Sequence, residues 1–386
     1  MPGSPSTSTP PRRERRWSRC TSGCSHPRAD DVRILHVIQE LGHGGAEQVV
    51  RRLSEASLAR GDAVAIACAG EVSLPRGADR LRLPMIARRP DRTLATAWRI
   101  RRFAASWRPD VIHAHNPGIA LATALAARRG ASWPALVTLH GVPPEDDRAT
   151  ARLLRWTRLP VVACGPGVAA SLHAHGLEPL TTICNGIAAP PPAADQGALR
   201  REWGLPTDLR LVMAAGRLVP QKRHDVALSA IATLPHAALV IVGDGPLRSA
   251  LERQIGELRL APRVRLVGAR SDARALLAAA DVVVQPSDWE GLPLVVLEAM
   301  RAARPVVASS VPGLRELIRD GEDGLLVPPD DAVALATSVT RVLGDERLAR
   351  HLGDTAARRV EREFSEIAMV EAYRSLWGAL AARRAG

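Results

Sequence analysis

Asp281-Val-Val-Val-Gln285-Pro-Ser287-Asp288-Trp289-Glu290-Gly291-Leu292-Pro293-Leu294-Val295-Val-Leu-Glu298-Ala-Met300 is the stretch that decides the architecture. It opens with a valine run of strand length and closes with apolar residues at helical spacing, and the Pro, Ser, Asp and Gly between them break both periods. Strand, short loop and helix in this order form the repeating unit of a parallel α/β sheet. Pro293 suits the first helical position, where its missing N–H would be unpaired anyway. The N–H groups of Leu294 and Val295 then point out of a helix N-terminus, a geometry that favours phosphate. Glu290 falls in the loop and Glu298 about one and a half turns into the helix, so the two carboxylates are separated. They suit hydroxyls at opposite ends of one ligand. Taken alone, they are more ordinarily a solvated loop acid and a helix-face charge.

The same unit recurs on both sides of this stretch. Leu209 to Ala214, Ala238 to Val242, Arg263 to Val267 and Pro305 to Ala308 are strand-like, each followed by a turn and a helical pattern. Towards the N-terminus, Val32 to Ile38, Ala63 to Cys68, Val111 to Ala114, Ala135 to Leu139, Val161 to Cys164 and Thr181 to Cys184 give a second set. Pro190, Pro191 and Pro192 interrupt the rhythm between the two sets. The expected organisation is a disordered tail over 1–30, an N-terminal Rossmann-like acceptor-side domain over 31–189 and a linker over 190–197. A C-terminal Rossmann-like donor-binding domain follows over 198–363, then a C-terminal helix over 364–386. A mis-assigned translation start explains the tail equally well, since the first strand-like segment begins only at Val32.

Ligands of open parallel sheets bind beyond the carboxyl ends of the strands, so those ends carry the functional reading. Gly216-Arg217-Leu218-Val219-Pro220-Gln221-Lys222-Arg223-His224 puts two cations, Arg217 and Lys222, in one strand-to-helix loop. There they would neutralise a diphosphate and stabilise it as it leaves. Lys222 is the only lysine in an arginine-rich chain, which suggests a position that needs a compact point charge. No Ser or Thr follows it and no glycine-rich approach precedes it, so it is not a Walker A lysine. Gly243-Asp244-Gly245 is weaker, since a lone Gly-x-Gly is more often a tight turn than a phosphate cradle. Gly42-His43-Gly44-Gly45-Ala46-Glu47 lets backbone approach a phosphate or sugar closely. His140 ends one strand, and His113 and His115 end another, facing the cleft if this half is also doubly wound. Each alone is more often structural than catalytic.

Composition removes other classes. An apolar fraction of 46% with 24% charged residues is that of a globular protein, and no apolar run approaches the ~20 residues of a membrane helix. The first thirty residues lack the apolar core of a secretory signal. The net charge of +12 comes from arginine spread along the whole chain, with few aromatics and none interleaved with basic residues, so no nucleic-acid partner is expected. Cys20, Cys24, Cys68, Cys164 and Cys184 lack the spacing of a zinc site or a disulfide framework, and a reducing cytoplasm fits them. Cys20, Cys24 and His26 would chelate a metal only if the tail were ordered. The segment Arg88 to Arg108, with Trp98, Phe103 and Trp107, reads first as an amphipathic surface helix. Peripheral contact with an anionic membrane face is its second reading.

Taken together, these segments resemble the retaining glycosyltransferases of family 4, also called glycosyl transferases group 1, which have the GT-B fold. The resemblance runs from Val32 nearly to the C-terminus. Its most specific element is Glu290 to Glu298, which matches the family's E-x7-E motif. Gly42-x-Gly-Gly-Ala-Glu47, His113-Ala-His115, His140-Gly141, Asn185-Gly186-Ile187, Gly216-Arg217-Leu218, Lys222 and Gly243-x-Gly245 follow the family's order. The resemblance implies two Rossmann-like doubly wound domains facing each other across a cleft, with the C-terminal helix crossing back to the first. It implies transfer of a sugar from a UDP-sugar, GDP-sugar or similar donor to an acceptor hydroxyl with retention, in polysaccharide, glycolipid or other glycoconjugate biosynthesis.

In that reading His140, Arg217, Lys222 and Glu290 are the catalytic set. Gly44, Gly45, Gly243, Gly291, Leu294, Val295 and Glu298 join Arg217 and Lys222 around the donor, with Glu298 on the ribose, Glu290 on the sugar and His140 near the reacting carbon. The acceptor is a carbohydrate or a lipid-linked sugar. No cofactor or metal is implied, and the chain contains no Asp-x-Asp of the kind that holds a metal-bound diphosphate in the other main glycosyltransferase fold. Two alternatives remain within reach of the same fold: a nucleotide-sugar epimerase and a non-catalytic nucleotide-sugar-binding protein.

Overall fold

The computed structural model describes residues 32–385, apart from residues 43, 71–72, 87–88 and 128–132. The expected tail over 1–30, with Cys20, Cys24 and His26, lies outside the described residues. From Val32 onward the chain forms one compact unit.

Its first sheet is built from β1 (Arg33–Val37), α1 (Gly45–Arg60), β2 (Ala63–Cys68), β3 (Asp79–Arg82), α2 (Pro90–Trp107), β4 (Val111–His115) and α3 (Pro117–Ala127), then β5 (Ala135–Leu139), α4 (Asp147–Thr157), β6 (Val161–Ala163), α5 (Pro166–Ala174) and β7 (Thr181–Thr182). The strands lie in the order β3-β2-β1-β4-β5-β6-β7 and every pairing is parallel. The second half continues with α6 (Gln196–Trp203), β8 (Arg210–Ala215), α7 (His224–Ala232), β9 (Ala237–Val242), α8 (Arg248–Glu257), β10 (Val264–Leu266), α9 (Ala273–Ala278), β11 (Val282–Gln285), α10 (Leu294–Arg301), β12 (Val306–Ser309), β13 (Leu325–Val327), α11 (Ala332–Gly344), α12 (Glu346–Glu363) and α13 (Glu366–Ala385). Its six strands run in the order β10-β9-β8-β11-β12-β13, again all parallel. In each sheet the order reverses beside the first strand, which is the switch point where a doubly wound sheet opens a crevice. Together they form the GT-B architecture, two Rossmann-like sheets with a cleft between them.

Two strands escaped the sequence reading because neither carries a strand-length apolar run. β3 is the charged edge segment Asp-Arg-Leu-Arg, and β13 is only three residues long. Both lie at sheet edges, where short or charged strands are the rule. Pro293 is also displaced by one position: it caps α10 in an extended conformation, and Leu294 is the first helical residue.

One apolar cluster joins the halves, running from Ile34, Ile112 and Leu139 under the first sheet to Leu292, Leu294 and Leu297 and through Phe364, Met369, Tyr373 and Trp377. Trp377 and Tyr373 are fully buried against the first sheet, and Arg374 pairs with Asp62 at 3.1 Å, so α13 lies across that sheet after following the second in sequence. Among the described residues no helix is long and apolar enough to cross a membrane.

Candidate active site

A cavity of about 860 Å³ opens between the carboxyl ends of the two sheets, within the size range of small-molecule sites. All the residues read from the sequence as donor or catalytic groups line it: Gly44, Gly45, His140, Arg217, Lys222, Gly243, Glu290, Gly291, Leu294, Val295 and Glu298. A second cavity, about 590 Å³ between β7 and α13, is mainly apolar and includes none of them.

Glu290 is held by three donors on a single oxygen. Its Oε1 accepts from Lys222 Nζ at 2.6 Å, Ser287 Oγ at 2.7 Å and Gln285 Nε2 at 2.9 Å. Gln285 is the last residue of β11 and is buried with Ser287, so the strand end itself delivers two of the donors. Lys222 is therefore not a free cation above the loop. It is paired with the carboxylate 68 residues away that forms the other half of the pocket. The loop carrying it is braced in turn: Arg223, in the left-handed region at φ 48°, bonds Asp225, Asp288 and Asp330, and Gln221 Nε2 donates to Trp289 O at 2.9 Å.

Arg217 stands opposite Glu47 of α1. Burial pushes the Glu47 carboxyl above its ordinary range, and the charge of Arg217 is among the opposing influences. The Arg217 loop rests on the Gly243 loop, with Gly216 N donating to Val242 O and Leu218 N to Asp244 O. Gly243 thus does more than line the cavity. It carries the backbone on which Arg217 is mounted.

The two halves touch through bare backbone at Gly291. A Cβ there would lie 2.1 Å from His140 O, closer than any side chain could be accommodated. Beside it Asn185 Nδ2 donates to Leu292 O at 3.0 Å. The loop before α10 is thereby clamped under the His140–Gly141 turn. Pro293 offers no side-chain cap, so the first-turn N–H groups of α10, including those of Leu294 and Val295, face the cavity end.

Glu298 is already engaged through one of its two oxygens. Its Oε1 accepts from Arg52 at 2.9 Å and lies 3.8 Å from Arg274 Nε. Burial raises its carboxyl pKa, and the two guanidinium groups oppose that rise. Arg52, Arg274, Gln285 and Asn185 all escaped the sequence reading as site residues. The two arginines are indistinguishable by type in an arginine-rich chain, and the first is one of a consecutive pair on a helix. Gln285 had a signal, since it is a polar residue closing an all-valine strand.

The histidines divide. His140 lines the cavity, with Nε2 3.1 Å from His115 Nδ1 and Nδ1 buried without a hydrogen-bond partner among the described residues; burial lowers its pKa to about 4. The expectation that His113 and His115 face the cleft fails. Both are fully buried, because strand alternation turns them into the layer under α13, where they meet His36, Tyr373 and Trp377. His36 Nδ1 lies 3.2 Å from His115 Nε2, so a chain of imidazoles runs from the core to the cavity wall. The nitrogens of His36, His113 and His115 are the only group among the described residues close enough to share a metal ion, and they lie in the core.

Residues 43–189 match the family described as Glycosyltransferase Family 4, and residues 195–359 match Glycosyl transferases group 1. The lipopolysaccharide core biosynthesis glycosyltransferase LpsE of Rhizobium meliloti (strain 1021) is 34% identical over 177 residues, 46% of this chain and 52% of that protein. The chain spans about half the length, or less, of several curated relatives that it matches. Sucrose-phosphate synthase from Thermosynechococcus elongatus superimposes with a TM-score of 0.78 at 26% identity, covering 90% of this chain and all of that one. Anabaena HepE, crystallised in complex with UDP and glucose, shares the fold with a TM-score of 0.77 at 20% identity over 90% of this chain and 99% of its own. Two adjoining family matches on a twin-sheet fold of this kind leave one assignment: the chain belongs to glycosyltransferase family 4, the glycosyl transferases group 1.

Proposed function

We propose that this chain transfers a sugar from a nucleoside-diphosphate sugar to an acceptor hydroxyl with retention at the anomeric carbon, in the biosynthesis of a polysaccharide, glycolipid or other glycoconjugate. The observation that carries the reading is the convergence of Arg217, Lys222 and the first-turn amides of α10 on one cavity, with Glu290 and Glu298 to either side. Departure of a nucleoside diphosphate leaves negative charge where those donors stand, and preorganised donors at a developing charge are typically the largest catalytic contribution. Glu290, its Oε1 already engaged by three donors, is a poor nucleophile and a well-fixed acceptor for a sugar hydroxyl. Glu298 would accept from the ribose, and the His140–Gly141 turn would lie against the sugar. The diphosphate is neutralised by protein groups, so no metal or other cofactor is required. LpsE and sucrose-phosphate synthase, by their names, act on sugars, and HepE binds UDP, which supports a UDP-sugar donor first among the candidates.

Thermal-shift titration with UDP, GDP, ADP and their common sugars tests the reading, followed by a transfer or hydrolysis assay with the donor that responds. One nucleotide should raise the melting temperature by mass action and Lys222→Ala should abolish the rise. No response in folded protein would remove the donor site, whereas binding without turnover would leave a nucleotide-sugar-binding protein.

A cytoplasmic enzyme working at the inner membrane face is the finer form of the proposal. α2 leaves Leu94 and Trp98 exposed at 61% and 59%, with Arg102 over the Trp98 ring, a combination suited to an anionic interface. Cosedimentation with liposomes that did not depend on anionic lipid would remove it.

A further inference from the structure

Arg52 lies two turns into α1, on the first sheet, yet its partners all belong to other parts of the chain. The Arg52 side chain keeps 11% exposure; its guanidinium donates to Glu298 Oε1 of α10 at 2.9 Å and to Gly186 O at 2.9 Å, and its Nε is 3.6 Å from Glu366 Oε2. Gly186 and Glu366 mark the two places where the chain passes between the sheets. These crossings are joined to each other: Ile187 N donates to Phe364 O at 2.9 Å and Glu366 N to Ile187 O at 3.2 Å. A Cβ on Gly186 would sit 2.3 Å from Ser365 O, so the backbones are in direct contact there.

Arg274 repeats the arrangement from the second sheet. It donates to Ala188 O and Ala189 O of the same crossing at 2.9 and 2.8 Å. Its Nε is buried, has no hydrogen-bond partner among the described residues, and lies 3.8 Å from Glu298 Oε1. Glu298 is thus held between two guanidinium groups that each grip the crossing. Only its Oε1 is engaged; its Oε2 accepts no hydrogen bond from the described residues.

We propose that Arg52 is a positioning residue for the donor: by fixing Glu298 through Oε1 it aims Oε2 at the ribose hydroxyls and ties that contact to the crossing between the sheets. The inference rests on the donor reading above, in which Glu298 faces the ribose. A carboxylate on a helix face can turn about its side-chain torsions, and a planar guanidinium bonded to both the carboxylate and a fixed carbonyl removes that freedom. A ribose hydroxyl pair meeting a preset acceptor binds more tightly than one that must order it.

The test compares ribose with its absence. Isothermal titration of UDP, GDP and ADP identifies the nucleotide that binds, and its 2′,3′-dideoxy form is then titrated into the wild type, Arg52→Gln and Arg52→Lys. The wild type should prefer the ribose form by roughly tenfold or more, the scale of hydrogen bonds to a charged group. Arg52→Gln should lose most of that preference, weakening the ribose form several-fold more than the dideoxy form, since only the ribose contact depends on Glu298. Arg52→Lys, which keeps the charge but lacks the planar fork that reaches Gly186 O and Glu298 Oε1 from separate nitrogens, should give an intermediate preference. It also supplies the answer if Arg52→Gln does not fold. Equal weakening of both ligands with the preference intact would overturn the role given to Arg52 and leave the donor site standing. A wild type that binds no nucleoside diphosphate, or does not distinguish the two forms, would overturn the donor reading and this inference with it.

Discussion

Glu290 and Lys222 act as one unit, so their substitutions should separate in a definite way. In the proposed donor site Lys222→Ala would take a cation from the diphosphate, and it strips one of three donors from a nearly buried carboxylate, so it should weaken binding of free nucleoside diphosphate itself. Glu290→Gln keeps the shape but loses the charge that would face the sugar in the proposed site. It should leave nucleoside diphosphate affinity within a few-fold and lower kcat/KM by about 10²–10³, mostly through kcat. Steady-state kinetics beside nucleotide titration would check this, and a variant that changed only KM would contradict it. These two residues were legible in the sequence because of what surrounded them, a lone lysine in one strand-end loop and a Glu before a helix in another. Their contact was not legible, since it joins positions 68 residues apart and depends on β8 and β11 lying side by side in one sheet. Arg52 and Arg274 were hidden for the opposite reason, because nothing local marks one arginine among so many.

At the level of elements, β1, β4, β5 and α13 enclose the imidazole chain, and that enclosure makes stability depend on pH. Burial lowers the pKa of His36 to about 3 and of His140 to about 4, and holds His113 and His115 well below the ordinary value of 6.5. His224, buried at the start of α7, is lowered to about 4. Between pH 6.5 and about 4 the unfolded chain takes up protons that the folded chain refuses. The contribution is therefore complete above pH 6.5 and is lost as pH falls, at about 1.4 kcal/mol per pH unit for each such histidine. Glu47 and Glu298, raised by burial, act with the opposite sign, but nearer the carboxylate range. The melting temperature should drop steeply from pH 7 to pH 5, and His36→Leu should make the slope shallower by about one proton. A flat profile over that interval would show that the cluster is hydrated. The strands of this layer were readable as apolar runs, and the helices as 3.6-residue patterns. The inward turn of His113 and His115 was not, because alternation fixes which residues share a face and not which face is covered by a helix from the far end of the chain.

Across the whole molecule, the charge of +12 is uninformative in bulk and informative where it is concentrated. The cavity between the sheets is lined by Arg51, Arg52, Arg217, Lys222, Arg270 and Arg274 against Glu47, Asp244, Glu290 and Glu298, six cations to four acids and so a net of two positive charges. That excess is of the same order as the charge on a diphosphate, and the first turn of α10 adds oriented N–H groups to it. Two of those four acids are already engaged through one oxygen each: Glu290 by Lys222, and Glu298 by Arg52 with Arg274 beside it. Among the described residues the one set of ligands able to converge on a metal is the histidine trio in the core, on the covered face of the first sheet. A divalent cation at the diphosphate would therefore compete with the fixed arginine and lysine charges. Transfer should accordingly proceed in excess EDTA at a rate within about twofold of the untreated protein, and added Mg²⁺ or Mn²⁺ should not raise it, because in the proposed site Arg217, Lys222 and the first turn of α10 would stabilise the leaving group in a metal's place. A loss of tenfold or more in EDTA, restored by either ion, would mean that the donor diphosphate brings its own cation and that Arg217 and Lys222 bind the complex in place of the bare anion.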